Sequence, residues 1–266
     1  MKFRLKAFAL HLTGSGCALT LVIGGMYLGW YRWPGWYLTE VLHVVVIVVM
    51  VDLALGPALT LVVANPAKSR RQLTLDIGAI VTVQLAALVY GAVTLWVGRP
   101  LYYAFSVDRL EIVQANDLEA DEIALGQRQN PTLAPHWYSV PRWIWAPLPE
   151  NPEEAAKIAM SAPFGGKDVT QMPRYFKLWE QGLPKLREKL TRVDDIKELS
   201  RSERQDLRAR IARLGLAPDQ RNALLLWGDI RRLLVVFDPA TLQIRAMLVP
   251  HGSELTERWR PRRPGS

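Results

Sequence analysis

Three long apolar runs in the first 98 residues decide most of what this chain can become. His11 to Trp30 carries no charge, Leu38 to Ala64 carries only Glu40 and Asp52, and Leu75 to Val97 carries only Asp76. At ~1.5 Å per residue, about 20 residues cross a hydrocarbon core of ~30 Å, so each run is long enough to span a membrane. The remaining charge lies downstream. Residues 99–266 hold 26 of the 33 Lys and Arg and 22 of the 25 Asp and Glu. The pattern predicts a membrane protein: a transmembrane domain over residues 1–98 with α-helices at about 11–30, 38–64 and 75–97, then an α+β domain over 99–257. A basic tail over 258–266, with little to bury, is expected to be disordered.

Basic residues orient the spans. Lys2, Arg4 and Lys6 precede the first, and Lys68, Arg70 and Arg71 lie between the second and third. By the positive-inside rule both segments are cytoplasmic, which puts the N-terminus inside and the 99–257 domain outside the cytoplasm. The loop Tyr31 to Tyr37 holds one arginine among aromatic rings, as suits an external turn at headgroup level. A rival reading makes residues 1–30 a cleaved signal peptide, with Lys2 to Lys6 as its basic end. No small-residue cleavage site closes the run, and Gly25 and Gly29 have a spacing that suits a retained, closely packed helix.

Several chemistries are excluded. Cys17 is the single cysteine, so no disulfide scaffold or cysteine-based metal or redox site can form. Acidic and basic residues alternate through the second part, which gives no nucleic-acid footprint. Glu40 and His43 share a helical face but supply at most two ligands, so no metal site and no cofactor is expected. Gly165-Gly166-Lys167 lacks the spacing and the Ser or Thr of a phosphate loop, and no nucleophile-elbow or zinc-protease motif occurs.

Asp52 is the most informative residue inside the spans, because a mid-membrane carboxylate costs about 3 kcal/mol on insertion scales. Counted from the outer ends of their runs, Asp52 and Gln84 lie at nearly equal depth, so the two are expected to hydrogen-bond between antiparallel helices. Asp52 either belongs to a proton path or docks another membrane helix, or, protonated or amide-paired, it fixes the register of spans two and three. Leu55-Gly56-Pro57 follows, and the proline is expected to kink the helix, with Gly56 leaving room at the bend.

The block Asp52-Leu-Ala-Leu-Gly-Pro-Ala-Leu-Thr-Leu61, then Asn65-Pro66-Ala-Lys68, then Gln84-Leu-Ala-Ala-Leu-Val-Tyr-Gly91 resembles the TfpX/TfpZ-type family of type IV pilin accessory proteins. Lys6-Ala-Phe8 and His11-Leu12 are similar to that family's opening segment. The resemblance is tight over about residues 5–105 and looser beyond. It implies a bacterial inner-membrane protein with a periplasmic domain and no catalytic residues, which acts chaperone-like on the major type IV pilin before extraction. The pilus assembly machinery and membrane lipids are further implied contacts. The shared positions are Asp52, Gly56, Pro57, Asn65, Pro66, Lys68, Gln84, Tyr90 and Gly91, as partner-docking or bundle-register candidates and a cytoplasmic-loop motif. Two other readings stay open: a membrane-bound sensor with an external ligand domain, and an intramembrane enzyme built on Asp52, Glu40 and His43.

In the external domain, Leu101 to Gln114 reads as a hairpin. Asp117, Glu119, Asp121 and Glu122 read as a solvated acidic segment. Pro131 to Pro152, rich in proline and tryptophan, reads as irregular chain packed on the core or facing the membrane. Asn151-Pro152-Glu153-Glu154 starts a helix, a second is expected from Pro173 and is broken at Gly182 and Pro184, and Ser200 to Glu203 has capping-box spacing. Asn222–Trp227, Arg231–Phe237 and Thr241–Val249 form an expected three-stranded antiparallel meander.

Overall fold

A computed structural model describes residues 1–250. The chain divides into two compact units, one made of Met1–Arg32 with Glu40–Arg99 and the other of Trp33–Thr39 with the chain from Pro100 onward. The first unit holds three helices long and apolar enough to cross a membrane: the first span Lys2–Tyr31, the second Val41–Val63 and the third Arg70–Val97.

Each begins elsewhere than its apolar run. Nothing between Lys2 and His11 breaks a helix, so the first span takes in the basic N-terminal segment. The second starts at Val41 rather than Leu38, because the short helix Gly35–Leu38 ends at Thr39, whose backbone is extended. The third starts at Arg70, where Ser69 accepts from the Gln72 amide at 3.3 Å and Gln72 Oε1 accepts from the Ser69 amide at 3.1 Å. Pro57 has no amide hydrogen to give the preceding turn. The second span meets this with a π-helical turn over Met50–Leu55, and Asp52 sits in that widened turn.

The second unit is built on a seven-stranded sheet: β1 Pro100–Ser106, β2 Arg109–Gln114, β3 Arg142–Ala146, β4 Lys177–Leu178, β5 Ala223–Trp227, β6 Arg232–Phe237 and β7 Ile244–Leu248. Their order is β4-β3-β1-β2-β5-β6-β7. The expected hairpin is β1–β2 and the expected meander is β5–β6–β7, both antiparallel. The sheet as a whole is mixed, not antiparallel, since β1 pairs with β3 and β2 pairs with β5 in parallel. Both parallel pairs are joined by long crossovers, which leave room to return the chain to the end where it started.

Packing explains the strands' apolar content. Tyr103, Phe105, Leu110, Leu226, Leu233, Val235 and Met247 share one core with Leu38, while Tyr102, Ala104 and Val113 face a second core and Leu225, Leu234, Val236 and Leu248 a third. A sheet covered on both faces needs apolar residues at consecutive positions.

Three expectations for this unit are corrected. The Pro131–Pro152 segment contains β3. The helix expected from Pro173 is a 3-10 turn, Pro173–Tyr175, followed by β4 and then a helix over Trp179–Lys189 that includes Gly182 and Pro184. Gly182 serves close approach: a Cβ there would lie 2.6 Å from the Trp145 ring. Finally, Glu122 in the helix Ala120–Gln129 is buried, with Lys167 Nζ and Arg174 Nε each 3.7 Å away. Asn151 and Ser200 cap the helices Pro152–Ser161 and Arg201–Arg213 as expected. The basic tail over 258–266 lies outside the described residues.

Candidate functional site

Within the first unit, polar side chains from all three spans meet in one chain of hydrogen bonds. Gln84, on the third span, is its hub. Its Nε2 donates to the Asp52 backbone carbonyl at 3.1 Å and lies 3.5 Å from Asp52 Oδ1. Its Oε1 accepts from His11 Nε2 at 2.5 Å, and His11 Nδ1 meets Thr60 Oγ1 at 2.6 Å. A carboxamide oxygen only accepts, so this arrangement puts the imidazole proton on Nε2. In the neutral ring Nδ1 then accepts from the Thr60 hydroxyl. Donors therefore run in one direction, Thr60 to His11 to Gln84 to Asp52.

Asp52 is 3% exposed, and Thr60 and Gln84 are also buried. In hydrocarbon each unmade hydrogen bond costs several kcal/mol, whereas each interhelical bond contributes about 0.6–2 kcal/mol. The cluster is thus a clamp across three helices. It also forms the polar floor of a cavity of about 360 Å³, whose walls are apolar side chains of the first and third spans, among them Leu10, Ala18, Val81 and Leu85.

The sequence candidates fall into three groups. Asp52 and Gln84 are in the cluster. Gly56 faces the Gln84 carboxamide so closely that any Cβ would overlap it, Pro57 is buried in the same turn, and Gly91 stands against Val48 in the same way. These glycines let neighbouring helices approach. Tyr90, at 76% exposure, points away from the other helices. Asn65, Pro66 and Lys68 shape the turn between the second and third spans: Asn65 Oδ1 accepts from the Ala67 amide at 3.1 Å, and Lys68 Nζ pairs with Asp76 at 2.7 Å. Glu40 and His43 are exposed at the start of the second span, and no group of three or more His, Cys, Asp and Glu side chains able to hold a metal occurs among the described residues.

His11 and Thr60 were not singled out by the spacing of charges. The available signal was depth: His11 lies 20 residues from Tyr31, and Thr60 lies 19 from Val41, along antiparallel helices.

Relatives of the chain carry a consistent description. The fimbrial assembly protein of serogroup I from Dichelobacter nodosus is 28% identical over 188 residues, 70% of each chain. The serogroup E1 protein of the same organism is 25% identical over 218 residues, 80% of this chain and 82% of the relative. The protein of serogroups C1 and C2 is 26% identical over 121 residues, 46% of this chain and 92% of the relative. No family model matches the chain, and no solved structure matches it significantly. The chain is a homologue of these fimbrial assembly proteins, in agreement with the type IV pilus accessory family that its Asp52-to-Gly91 motifs resemble.

Proposed function

We propose that this protein is a non-enzymatic accessory of type IV pilus biogenesis in the bacterial inner membrane, and that it binds the major pilin there in a chaperone-like way before the pilin is extracted. The observation that carries the reading is the likeness to the fimbrial assembly protein of serogroup E1 over 218 residues, a stretch too long for either unit alone. The basic residues Lys2, Arg4, Lys6, Lys68, Arg70 and Arg71 favour a cytoplasmic N-terminus and so a periplasmic second unit. Pilin binding rests on the shape of the helical unit. A pilin awaiting assembly is one apolar N-terminal helix joined to an external domain. The groove between the first and third spans, about 360 Å³ with apolar walls and a polar floor, has room for several side chains from one face of such a helix.

The test is genetic. Deleting the gene should reduce surface pili, measured by shearing and immunoblotting. The wild-type gene should restore them, and a Leu10→Trp variant that fills the groove should not. Leu10 is 75% exposed, so the variant should accumulate normally in the membrane. Unchanged piliation on deletion would contradict the proposed role, and full restoration by Leu10→Trp would contradict the groove.

A further inference from the structure

One end of the sheet gathers aromatic and apolar side chains from several separate segments. Gly98 and Arg99 alone separate the third span from β1, so chain connectivity keeps the Pro100 end of the sheet near a bilayer surface. β3 runs parallel to β1 with Tyr102 opposite Arg142, so the loop before Arg142 emerges at that same end. That loop carries Trp137 and Tyr138, which are 72% and 60% exposed, with their rings in edge contact at 5.5 Å. The nearby Trp143 packs instead inside the unit, against Tyr103 and Trp179.

Two more segments reach this end. Gln114, the last residue of β2, pairs with Pro100, and its Nε2 donates to the Asp229 carboxylate at 2.7 Å, just after the end of β5. The Asp229 amide donates to the Leu38 carbonyl at 3.0 Å, which holds the Trp33–Thr39 segment there with its tryptophans Trp33 and Trp36. Ile230, in the turn after Asp229, is half exposed. Two acids at this end are held by Gln114, although Asp229 itself is exposed. Asp229 accepts from Gln114, and Asp117 accepts from the Gln114 amide at 2.7 Å, with burial pushing the Asp117 carboxyl above the usual range. By contrast Val107, in the β1–β2 turn, marks the opposite end.

We propose that this end of the second unit is a membrane-seating face, with Trp137 and Tyr138 anchored at the headgroup level of the bilayer that the spans cross. Amphipathic rings prefer that level, where one edge is apolar and the other wet. The reach is sufficient. Tyr102 follows Val97 by at most roughly 17 Å of extended chain, and Tyr138 can return about 13 Å from Arg142, against an interfacial layer roughly 5–8 Å deep. The inference does not depend on pilin binding.

The experiment uses the full chain with Cys17→Ala, carrying an environment-sensitive NBD label at Tyr138→Cys, in nanodiscs of phosphatidylcholine and phosphatidylglycerol. Val140→Cys serves as a second position and Val107→Cys as the reference at the far end. Labels at 138 and 140 should be quenched by shallow doxyl lipid and should show iodide quenching about threefold weaker than at the Val107→Cys reference, as for groups at the interface. Equal iodide access at both ends with no lipid quenching would overturn the proposal. So would shielding that arises only when a purified pilin is added, since the face would then fit a protein.

Discussion

Gln84 touches two helices besides its own, so its side chain tests the clamp directly. Gln84→Leu keeps most of the volume but leaves Asp52 and His11 without their contacts. The variant should lose about 1–3 kcal/mol of stability in detergent, read as a lower Tm. Tyr90→Ala, at an exposed position, should change stability by less than about 0.5 kcal/mol. Gly56→Leu should lower Tm as Gln84→Leu does, because its side chain must displace the carboxamide. Equal thermal stability of all three variants would mean that the cluster does not hold the helices together. The Asp52–Gln84 contact was legible because two polar groups at matched depth in apolar runs have few other partners. His11 and Thr60 were not, since a single imidazole or hydroxyl in a helix is common, and the second span begins at Val41 rather than at the Leu38 used to count depth.

The capped helix starts at Asn151 and Ser200 were legible because caps are local chemistry. Asn151 Oδ1 accepts from the Glu153 amide at 2.9 Å, and Asn151→Ala should cost about 1 kcal/mol, measured as a fall in Tm of the full-length protein. Gly182→Ala should also lower Tm, because the new methyl group meets the Trp145 ring. An unchanged Tm would mean that the helix Trp179–Lys189 can move away from β3 at little cost. Strand directions were less legible. The apolar runs of β5, β6 and β7 and their turn residues mark a meander, but whether β3 runs with or against β1 depends on the path of the long intervening chain. β3 itself was hidden by prolines on both sides of a five-residue strand.

For the whole molecule, three long apolar helices followed by an α+β part were readable from the apolar runs together with the turn and cap residues downstream. The place of Trp33–Thr39 was not: it joins the first two spans in sequence, yet Leu38 is buried in the core of the second unit. The proposed orientation makes a definite prediction. In cells with a permeabilised outer membrane, a membrane-impermeant maleimide should label Val107→Cys and leave Lys68→Cys unlabelled, both in the Cys17→Ala background; the reverse pattern would invert the topology. The central claim, that the groove between the first and third spans receives the pilin helix, is tested most directly by photo-crosslinking in pilin-producing cells. A photoreactive residue at Leu85, on the groove wall, should give a pilin adduct that Leu10→Trp abolishes, while the same residue at Tyr90 should give little. No adduct at Leu85 or Val81, or equal adducts at Tyr90 with no effect of Leu10→Trp, would contradict it.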